Sequence, residues 1–272
     1  MQIKNLKNTP ISDIVECLVE AFEDYFVQMP SEVEFWEKRY ERARVKYELC
    51  YGVFDKGQLV AFMINGIDRL NGHLTAFNTG TGVIPAYRGQ QLVDKMYAHA
   101  IPILKKEGIT KCALEVIQEN ARAIRVYQRI GFAIQRNLKS YKGTLSSSGE
   151  TVEIQKMDFS KIAELGYPKH NFYAWDFAND ALLQPGNVYE AYTVMGDEHK
   201  ILGYFVIDPT KGMLAQIEAD AKDFPTFATA IHQISKEVRI VNVDDRRTDL
   251  IENLLANGLE NSINQYEMEM SI

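Results

Sequence analysis

Cysteine is scarce in this chain of 272 residues, which has three in all. Cys17, Cys50 and Cys112 are far apart and none belongs to a CxxC pair, which excludes a disulfide framework of the kind that small secreted proteins use. The five histidines show neither HExxH nor any other paired spacing of metal ligands, so no metal site is expected. We expect reduced thiols in a cytoplasmic protein.

Long apolar runs and clustered positive charge are also missing. No segment has the ~20 consecutive apolar residues that a membrane-spanning helix needs, and the amino terminus has no apolar signal-peptide core. We therefore expect no membrane association. The formal charge of -7 argues against nucleic acid, because such a surface repels phosphates. A cationic amine is the better-matched partner.

The order of helix and strand patterns is the main fold signal. The first half contains two amphipathic helices, three strands joined at Asp55-Lys56-Gly57 and Asn71-Gly72, and then alternating helices and strands. This predicts an α/β class with a mixed, mostly antiparallel sheet flanked by helices. The small polar run Gly143–Glu150 can bury little, so the predicted domains are residues 1–143 and 150–272.

The second half repeats part of this order in a shorter form. Aligning the glycines that follow the last helix of each half places Arg247 opposite Asn120 and Leu254 opposite Tyr127. The elements recur while the polar residues do not. The second domain is predicted to be a smaller, degenerate copy of the first.

The stretch VIPAYRGQQLVDKM, residues 83–96, reads as a strand that enters a helix through a tight turn. The unpaired N–H groups and the dipole of a helix start bind phosphate. Arg88 would add charge at the rim, and Gly89 would let the backbone come close. Phosphate-binding turns usually carry two or three glycines, so on its own this stretch fits an ordinary strand-to-helix junction equally well.

A second candidate is the helix that begins at Asn120. Asn120 can cap the helix and offer an amide to a ligand, and Ala123 leaves room one turn later. Tyr127, about two turns from Asn120, lies on nearly the same face and could donate a proton. Taken alone, a capped helix with a packing tyrosine explains the same residues.

Together, in this order, the two stretches resemble the GNAT superfamily of N-acetyltransferases over roughly residues 1–142. The family's first signature is a hydrophobic residue, Pro, and then R-G-x-G-x-G or Ala, and it is matched by Val83, Pro85, Arg88 and Gly89. The second signature, N-x-x-A-x-x-x-Y-x-x-x-G-F, is matched by Asn120, Ala123, Tyr127, Gly131 and Phe132. Gln91 and Val93 depart from the first signature, because the family has Gly at the first of these positions and Gly or Ala at the second.

The resemblance implies an acetyl-CoA-dependent N-acetyltransferase of tandem GNAT architecture, with acetyl-CoA as co-substrate. A primary amine of a small molecule or peptide would be the acceptor. The strand before the turn would splay from its neighbour and admit the pantetheine arm, helped by Gly80 and Gly82. The residues implied to bind the cofactor are Val83, Ile84, Pro85, Arg88, Gly89, Gln90, Gln91, Leu92, Val93, Asn120, Ala123 and Tyr127.

Two catalytic roles follow from the resemblance to the protein-N-terminal alanine acetyltransferases. Tyr127 would protonate the departing thiolate, and Glu115 would take a proton from the ammonium substrate through water. For Glu115, a solvent-facing carboxylate or a pair with Lys111 or Arg122 is a nearly equal alternative.

The two missing glycines are expected to weaken cofactor binding without abolishing it. If Gln91 and Val93 belong to the first helical turn, they have ordinary helical dihedrals and keep the backbone donors in place. Their side chains would crowd the pyrophosphate, although the amides of Gln90 and Gln91 could also contact it.

The acceptor side is less defined by the sequence. In the family, the turn between the first two helices walls the acceptor pocket, and here it contains Glu23, Asp24 and Tyr25, which suit a cationic amine. Residues 170–177 could reach over that pocket, but packing between domains is the simpler role. The alternative function is a non-catalytic acyl-CoA sensor or interaction module. The sequence is also compatible with a homodimer.

Overall fold

The computed structural model describes residues 1–25, 28–168, 170–184 and 186–272. The chain divides into two compact units, residues 1–135 with 267–272 and residues 136–266. These limits differ from the predicted domains 1–143 and 150–272. Residues 136–143 belong to the second unit, and the last six residues belong to the first.

The elements follow the predicted alternation of helices and strands. The first part of the chain forms the strands β1 Gln2–Asn5, β2 Tyr51–Asp55, β3 Gln58–Leu70, β4 His73–Val83, β5 Lys111–Ile117 and β6 Ala133–Thr144, and the helices α1 Ile11–Ala21, α2 Val33–Arg42, α3 Leu92–Lys106 and α4 Ala121–Ile130. The rest forms the strands β7 Ile154–Met157, β8 Glu190–Met195, β9 Ile201–Asp208, β10 Met213–Glu218, β11 Glu237–Asp244, β12 Leu259–Asn261 and β13 Gln265–Ser271, and the helices α5 Phe159–Glu164, α6 Asn179–Leu182, α7 Phe224–Ile234 and α8 Thr248–Ala256.

The sheet of the first unit has the order β1-β2-β3-β4-β5-β13. β1 to β4 pair antiparallel, whereas β5 runs parallel to β4. The apolar faces of α1 and α3 are buried, with Ile14 and Leu18 on α1 and Met96 and Ala100 on α3. The predicted mixed, mostly antiparallel sheet flanked by helices is confirmed.

The sheet of the second unit has the order β7-β8-β9-β10-β11-β6, with β12 also paired to β6. Its directions repeat those of the first unit up to β11, since β10 and β11 are its parallel pair. In each unit the sixth strand comes from the other half of the sequence. It is β13, beside β5, in the first unit and β6, beside β11, in the second. This exchange accounts for the difference between the limits of the compact units and the predicted domains.

The last strand is anchored within the first unit by several contacts. Lys111 Nζ lies 2.7 Å from a carboxylate oxygen of Glu269, and the N–H of Ile272 donates to the carbonyl of Thr110 at 3.0 Å. Met268 is fully buried. The carboxyl-terminal residues are therefore part of the first unit's fold.

β4 and β5 diverge before either strand ends. Their parallel pairing runs from Thr75 to Asn78 of β4, while β4 continues to Val83. A bulge at Thr79 shifts the register of β4 on β3, because Ile64 pairs with Gly80 and the next residue of β3 pairs with Asn78. The divergence leaves a gap between the two strands, as the family resemblance led us to expect.

No helix among the described residues is both long and apolar enough to cross a membrane. No group of three or more His, Cys, Asp or Glu side chains among them is arranged to hold a metal ion.

Candidate active site

A cleft of about 600 Å³ opens in the first unit beside the divergence of β4 and β5. Its walls are the end of α1, the end of β4, the turn that follows, the start of α3 and one face of α4. Ile84, Pro85, Gln90 and Glu115 are not among its lining residues. The predicted site residues that do line it are Val83, Arg88, Gly89, Gln91, Leu92, Val93, Asn120, Ala123 and Tyr127.

The turn between β4 and α3 leaves the start of the helix open. No side chain caps α3, so the N–H groups of its first turn are available to an anion. Gly89 has a φ of 80°, and Gln91 lies in the left-handed region with φ 56° and ψ 34°. The expectation of helical dihedrals is therefore wrong for Gln91, whereas Val93 lies inside the helix. A glycine at position 91 would have a conformational advantage as well as a smaller size.

Arg88 is held by protein groups rather than left free at the rim. Its guanidinium donates to both carboxylate oxygens of Asp24, at 2.6 and 2.7 Å, and to the carbonyl of Ala21 at 3.0 Å. Its Nε donates to the carbonyl of Val83 at 3.3 Å. The hydrogen bond from Arg88 lowers the pKa of Asp24. Arg88 thus links the end of α1 to the turn between β4 and α3. Its positive charge is paired with the carboxylate of Asp24.

The exposed positive charge of the cleft comes from α4, which the sequence reading missed. Arg122 and Arg125 are exposed and line the cleft. Arg129 lines it too, but it forms a two-pronged pair with Asp94 at 2.6 and 2.7 Å. The signal was present, because residues three and four apart share a helix face. Arg122, Arg125 and Arg129 form one stripe along α4.

Asn120 has the predicted capping role. Its side-chain oxygen accepts a hydrogen bond from the N–H of Ala123 at 3.0 Å. Its amide also hydrogen-bonds to the phenol of Tyr25, whose pKa is raised chiefly by burial. Asn120 therefore connects α4 to the segment after α1. Its contact with a ligand stays a prediction.

Tyr127 lies half-buried in the cleft wall with its ring held by other aromatic rings. Tyr97 and Phe132 pack edge-to-face against it, with ring centroids at 6.4 and 5.7 Å. Burial raises the pKa of Tyr127 to about 12, although a hydrogen bond with Thr81 acts in the opposite direction. The phenol is therefore protonated at neutral pH, as a proton donor must be.

Gly82 lets the end of α1 and the ring of Phe62 pack closely against β4. A Cβ on Gly82 would lie 2.6 Å from an edge carbon of Phe62 and 2.8 Å from the Cβ of Ala21. A Cβ on Gly80 would meet Phe62 at 3.8 Å, an ordinary contact. Packing alone therefore requires glycine at 82 but not at 80.

Glu115 lies on β5 just past its last pair with β4 and is half-buried. Lys111, one of the two partners considered for it, pairs instead with Glu269. The structure does not bring Glu115 to the lining of the cleft that holds Tyr127. Its role as a base stays a prediction.

Two segments are predicted to lie on the acceptor side, namely the turn after α1 and residues 170–177. Phe26 and Val27 lie outside the described residues. Residues 170–177 belong to the second unit, where Trp175 and Phe177 are buried. In that unit the Tyr173 hydroxyl donates to a carboxylate oxygen of Glu218 at 2.6 Å. This segment thus has a packing role in its own unit.

Comparison with known proteins finds a family for part of the chain. Residues 13–132 match the model described as the acetyltransferase (GNAT) family. The match covers 120 of the 272 residues, all within the first unit, so it shows a likeness of that unit to GNAT acetyltransferases. No curated protein sequence matches the chain significantly.

Solved structures share the fold over both units. A GCN5-related N-acetyltransferase from Sphaerobacter thermophilus has a TM-score of 0.69 at 12% identity, covering 99% of this chain and 95% of its own. A tandem GNAT protein from the clavulanic acid biosynthesis pathway has a TM-score of 0.67 at 12% identity, covering 99% and 98%. For a GCN5-related N-acetyltransferase from Anabaena variabilis the values are 0.61, 13%, 98% and 72%. At such identities the likeness concerns the fold alone.

Proposed function

We propose that the protein is an acetyl-CoA-dependent N-acetyltransferase whose active site is the cleft of the first unit. The observation that carries this proposal is that an uncapped helix start and a half-buried, protonated tyrosine line one cleft beside two diverging strands. The first suits the phosphates of a cofactor, and the second suits a thiolate leaving group.

The residues present fit the cofactor in two places. The N–H groups at the start of α3, with Arg122 and Arg125 nearby, would hold its phosphates. Beyond Asn78 the edge of β4 that faces β5 has no strand partner among the described residues, so it could bond the pantetheine arm as an added strand. When bound, acetyl-CoA would supply an activated acyl group.

In the proposed reaction the protein's own side chains transfer protons. A neutral amine forms the new C–N bond while the C–S bond breaks, and the sulfur leaves with the electron pair. Tyr127 gives its phenolic proton to that sulfur, and solvent restores the proton afterwards. Glu115, through water, would accept the proton that the ammonium form of the acceptor loses before attack, and the second proton leaves the nitrogen to solvent as the amide forms. Only Tyr127 needs to touch the reacting atoms.

The acceptor would be a primary amine of a small molecule or peptide, carrying a positive charge in solution. Glu23 is exposed beside the cleft residues Asp24 and Tyr25, and the chain has a net charge of -7. Both features favour a cationic substrate. We also propose a cytoplasmic location, in keeping with the three free, buried cysteines.

A non-catalytic acyl-CoA sensor is the second candidate. It would retain the helix start and the arginines but would not need a phenol at the cleft. The aromatic and hydrogen-bonding support of Tyr127 favours the enzyme, because a sensor gains nothing from an oriented acid.

Thermal unfolding with and without acetyl-CoA tests the proposal first. A ligand that binds only the folded state stabilises it by about 2.7 kcal/mol at 100 times its Kd, so millimolar acetyl-CoA should raise the Tm measurably. No shift would contradict both candidates. Release of free thiol with a panel of amines then separates them, since a sensor releases none.

A further inference from the structure

Asn78, on the last paired position of β4, is the centre of a buried hydrogen-bond network. Its side-chain oxygen accepts from the N–H of Gly80 at 3.0 Å. Its amide nitrogen donates to the hydroxyl of Thr81 and, at 2.8 Å, to the hydroxyl of Tyr97. Asn78 itself is 6% exposed, whereas Thr81 is half-buried and lines the cleft.

The backbone fixes which way the Asn78 amide points. The N–H of Gly80 can only donate, so the atom facing it must be the carbonyl oxygen of Asn78. The amide nitrogen therefore faces the other two partners, and each of its two hydrogens meets one hydroxyl oxygen. Thr81 is thus an acceptor toward Asn78, and its own hydrogen must point elsewhere.

The Thr81 hydroxyl lies beside the phenol of Tyr127, where hydrogen bonding to Thr81 lowers the pKa of that phenol against the larger effect of burial. Both side chains line the cleft. We propose that Thr81 is a positioning residue that donates its hydroxyl hydrogen to the Tyr127 oxygen and thereby turns the phenolic proton of Tyr127 into the cleft. The orientation starts at one backbone N–H of the β4 bulge and passes through Asn78 and Thr81.

This inference rests on the proposed function for its consequence but not for its geometry. If Tyr127 is the acid, the arrangement presents its proton to the leaving sulfur before the substrates arrive. No reorientation of the hydroxyl is then needed during the reaction. If the chain transfers no acetyl group, the same hydrogen-bond direction still exists and can be measured.

The direction of the hydrogen bond is tested by replacing Thr81 and titrating Tyr127. Tyrosines are replaced with 3,5-difluorotyrosine, whose fluorines lower the phenol's pKa into an accessible range, and Tyr127→Phe assigns the 19F NMR signal. A donor stabilises the phenolate, so Thr81→Val should raise the pKa of Tyr127 by about one. Thr81→Ser, which keeps the hydroxyl, should restore it. A fall, or no change, would overturn the proposal.

Tyr97→Phe is the matched control, because it removes the other hydroxyl bound to Asn78 and keeps the ring beside Tyr127. It should leave the pKa of Tyr127 close to that of the parent. Should valine not be accommodated, Thr81→Ala gives the same titration readout. None of these measurements requires acetyl-CoA, so their failure is distinguishable from failure of the proposed function.

Turnover supplies a second readout. Thr81→Val should lower kcat about tenfold, the effect of one lost neutral hydrogen bond on the transition state, with the KM for acetyl-CoA unchanged. Thr81→Ser should recover kcat. An equal loss in the serine and valine variants, or a loss confined to KM, would contradict the positioning role.

Discussion

The two units of this chain share a backbone arrangement but differ in the side chains at corresponding positions. In each, the fourth strand of the unit carries a bulge, at Thr79 in β4 and at Ala215 in β10. In each, parallel pairing with the next strand ends immediately before the bulge, at Asn78 and at Leu214. The divergence that makes a gap in the first unit is therefore present in the second as well.

The last helices start alike too. Asn120 precedes α4 with φ -81° and ψ 63°, and Arg247 precedes α8 with φ -81° and ψ 59°. This agreement supports the alignment made from the sequence. Counting from the bulges and these starting residues, the second unit has apolar residues in place of Asn78, Thr81 and Tyr127, namely Leu214, Ile217 and Leu254.

The second unit's side chains bond across its own gap. Arg247 donates to the carbonyl of Ile217 at 2.9 Å and to the hydroxyl of Tyr173 at 3.1 Å. It also pairs with Glu218 at 3.2 Å, a residue that stands at the position of Gly82. Burial alone would raise the pKa of Glu218, but a hydrogen bond with His170 and the charge of Arg247 lower it overall. In the first unit glycine lines the gap, whereas in the second unit side-chain hydrogen bonds and an ion pair span it.

The outer face of the last helix also reverses its charge. The positions of Arg122 and Arg125 on α4 correspond to Asp249 and Glu252 on α8. All four side chains are exposed. A phosphate at the second unit would face carboxylates, which supports the proposal that acetyl-CoA binds at the first unit.

The largest effect should come from Tyr127→Phe, which gives the first unit an apolar ring where the second has Leu254. General acid catalysis contributes about 10²- to 10⁴-fold, so kcat should fall by at least about 10²-fold. The acetyl-CoA Kd, measured by calorimetry, should not change. Because the pKa of Tyr127 is about 12, the parent's kcat should show no loss from phenol ionisation between neutral pH and pH ~10. Unchanged turnover would remove the acid role.

The exchanged strands give the next largest effect. Met268→Ala should destabilise the first unit by about 2–5 kcal/mol, since a buried side chain is lost from a packed core. Hydrogen exchange should then speed up in β5. Leu138→Ala, at a buried position of β6, is the matched control and should speed up exchange in β11. The reverse pattern would mean that the strands belong to the halves that encode them.

Charge reversal on the last helix tests which unit holds the phosphates. Arg122→Glu with Arg125→Glu copies the second unit's charges onto the first and should weaken acetyl-CoA binding by about 10- to 100-fold, or ~1.4–2.8 kcal/mol. The matched variant, Asp249→Lys with Glu252→Lys, should leave the Kd unchanged. Titration calorimetry gives both the Kd and the stoichiometry. A Kd that responds equally to both pairs would contradict binding at the first unit alone.

The smallest expected effect concerns the phosphate turn. Gln91→Gly should stabilise the protein by at most about 1 kcal/mol, because glycine accepts a left-handed conformation without steric cost. Val93→Gly, inside α3, should destabilise it by about 0.5–1 kcal/mol. Urea unfolding measures both. Opposite signs would show that the two missing signature glycines have different physical reasons; equal signs would refute that distinction.

Much of the fold and part of the site could be predicted from the sequence. Helix and strand order follow from local periodicity, and Asn120 was recognisable as a cap because capping is decided within one turn. The family signatures located the turn and Tyr127. Arg88 and Gln91 were misjudged, since the partner of one is distant in the sequence and the backbone angle of the other depends on how the turn closes.

The order of residues along the chain was enough to predict two related α/β units and the GNAT signatures of the first. Those features depend on residue patterns within short segments. The folded chain was needed to find the exchange of β6 and β13, the pair between Asp24 and Arg88, and the hydrogen bond from Asn78 to Tyr97. Each of these is a pairing between groups distant in the sequence, and local propensity contains no information about which strand edge or side chain such a group will meet.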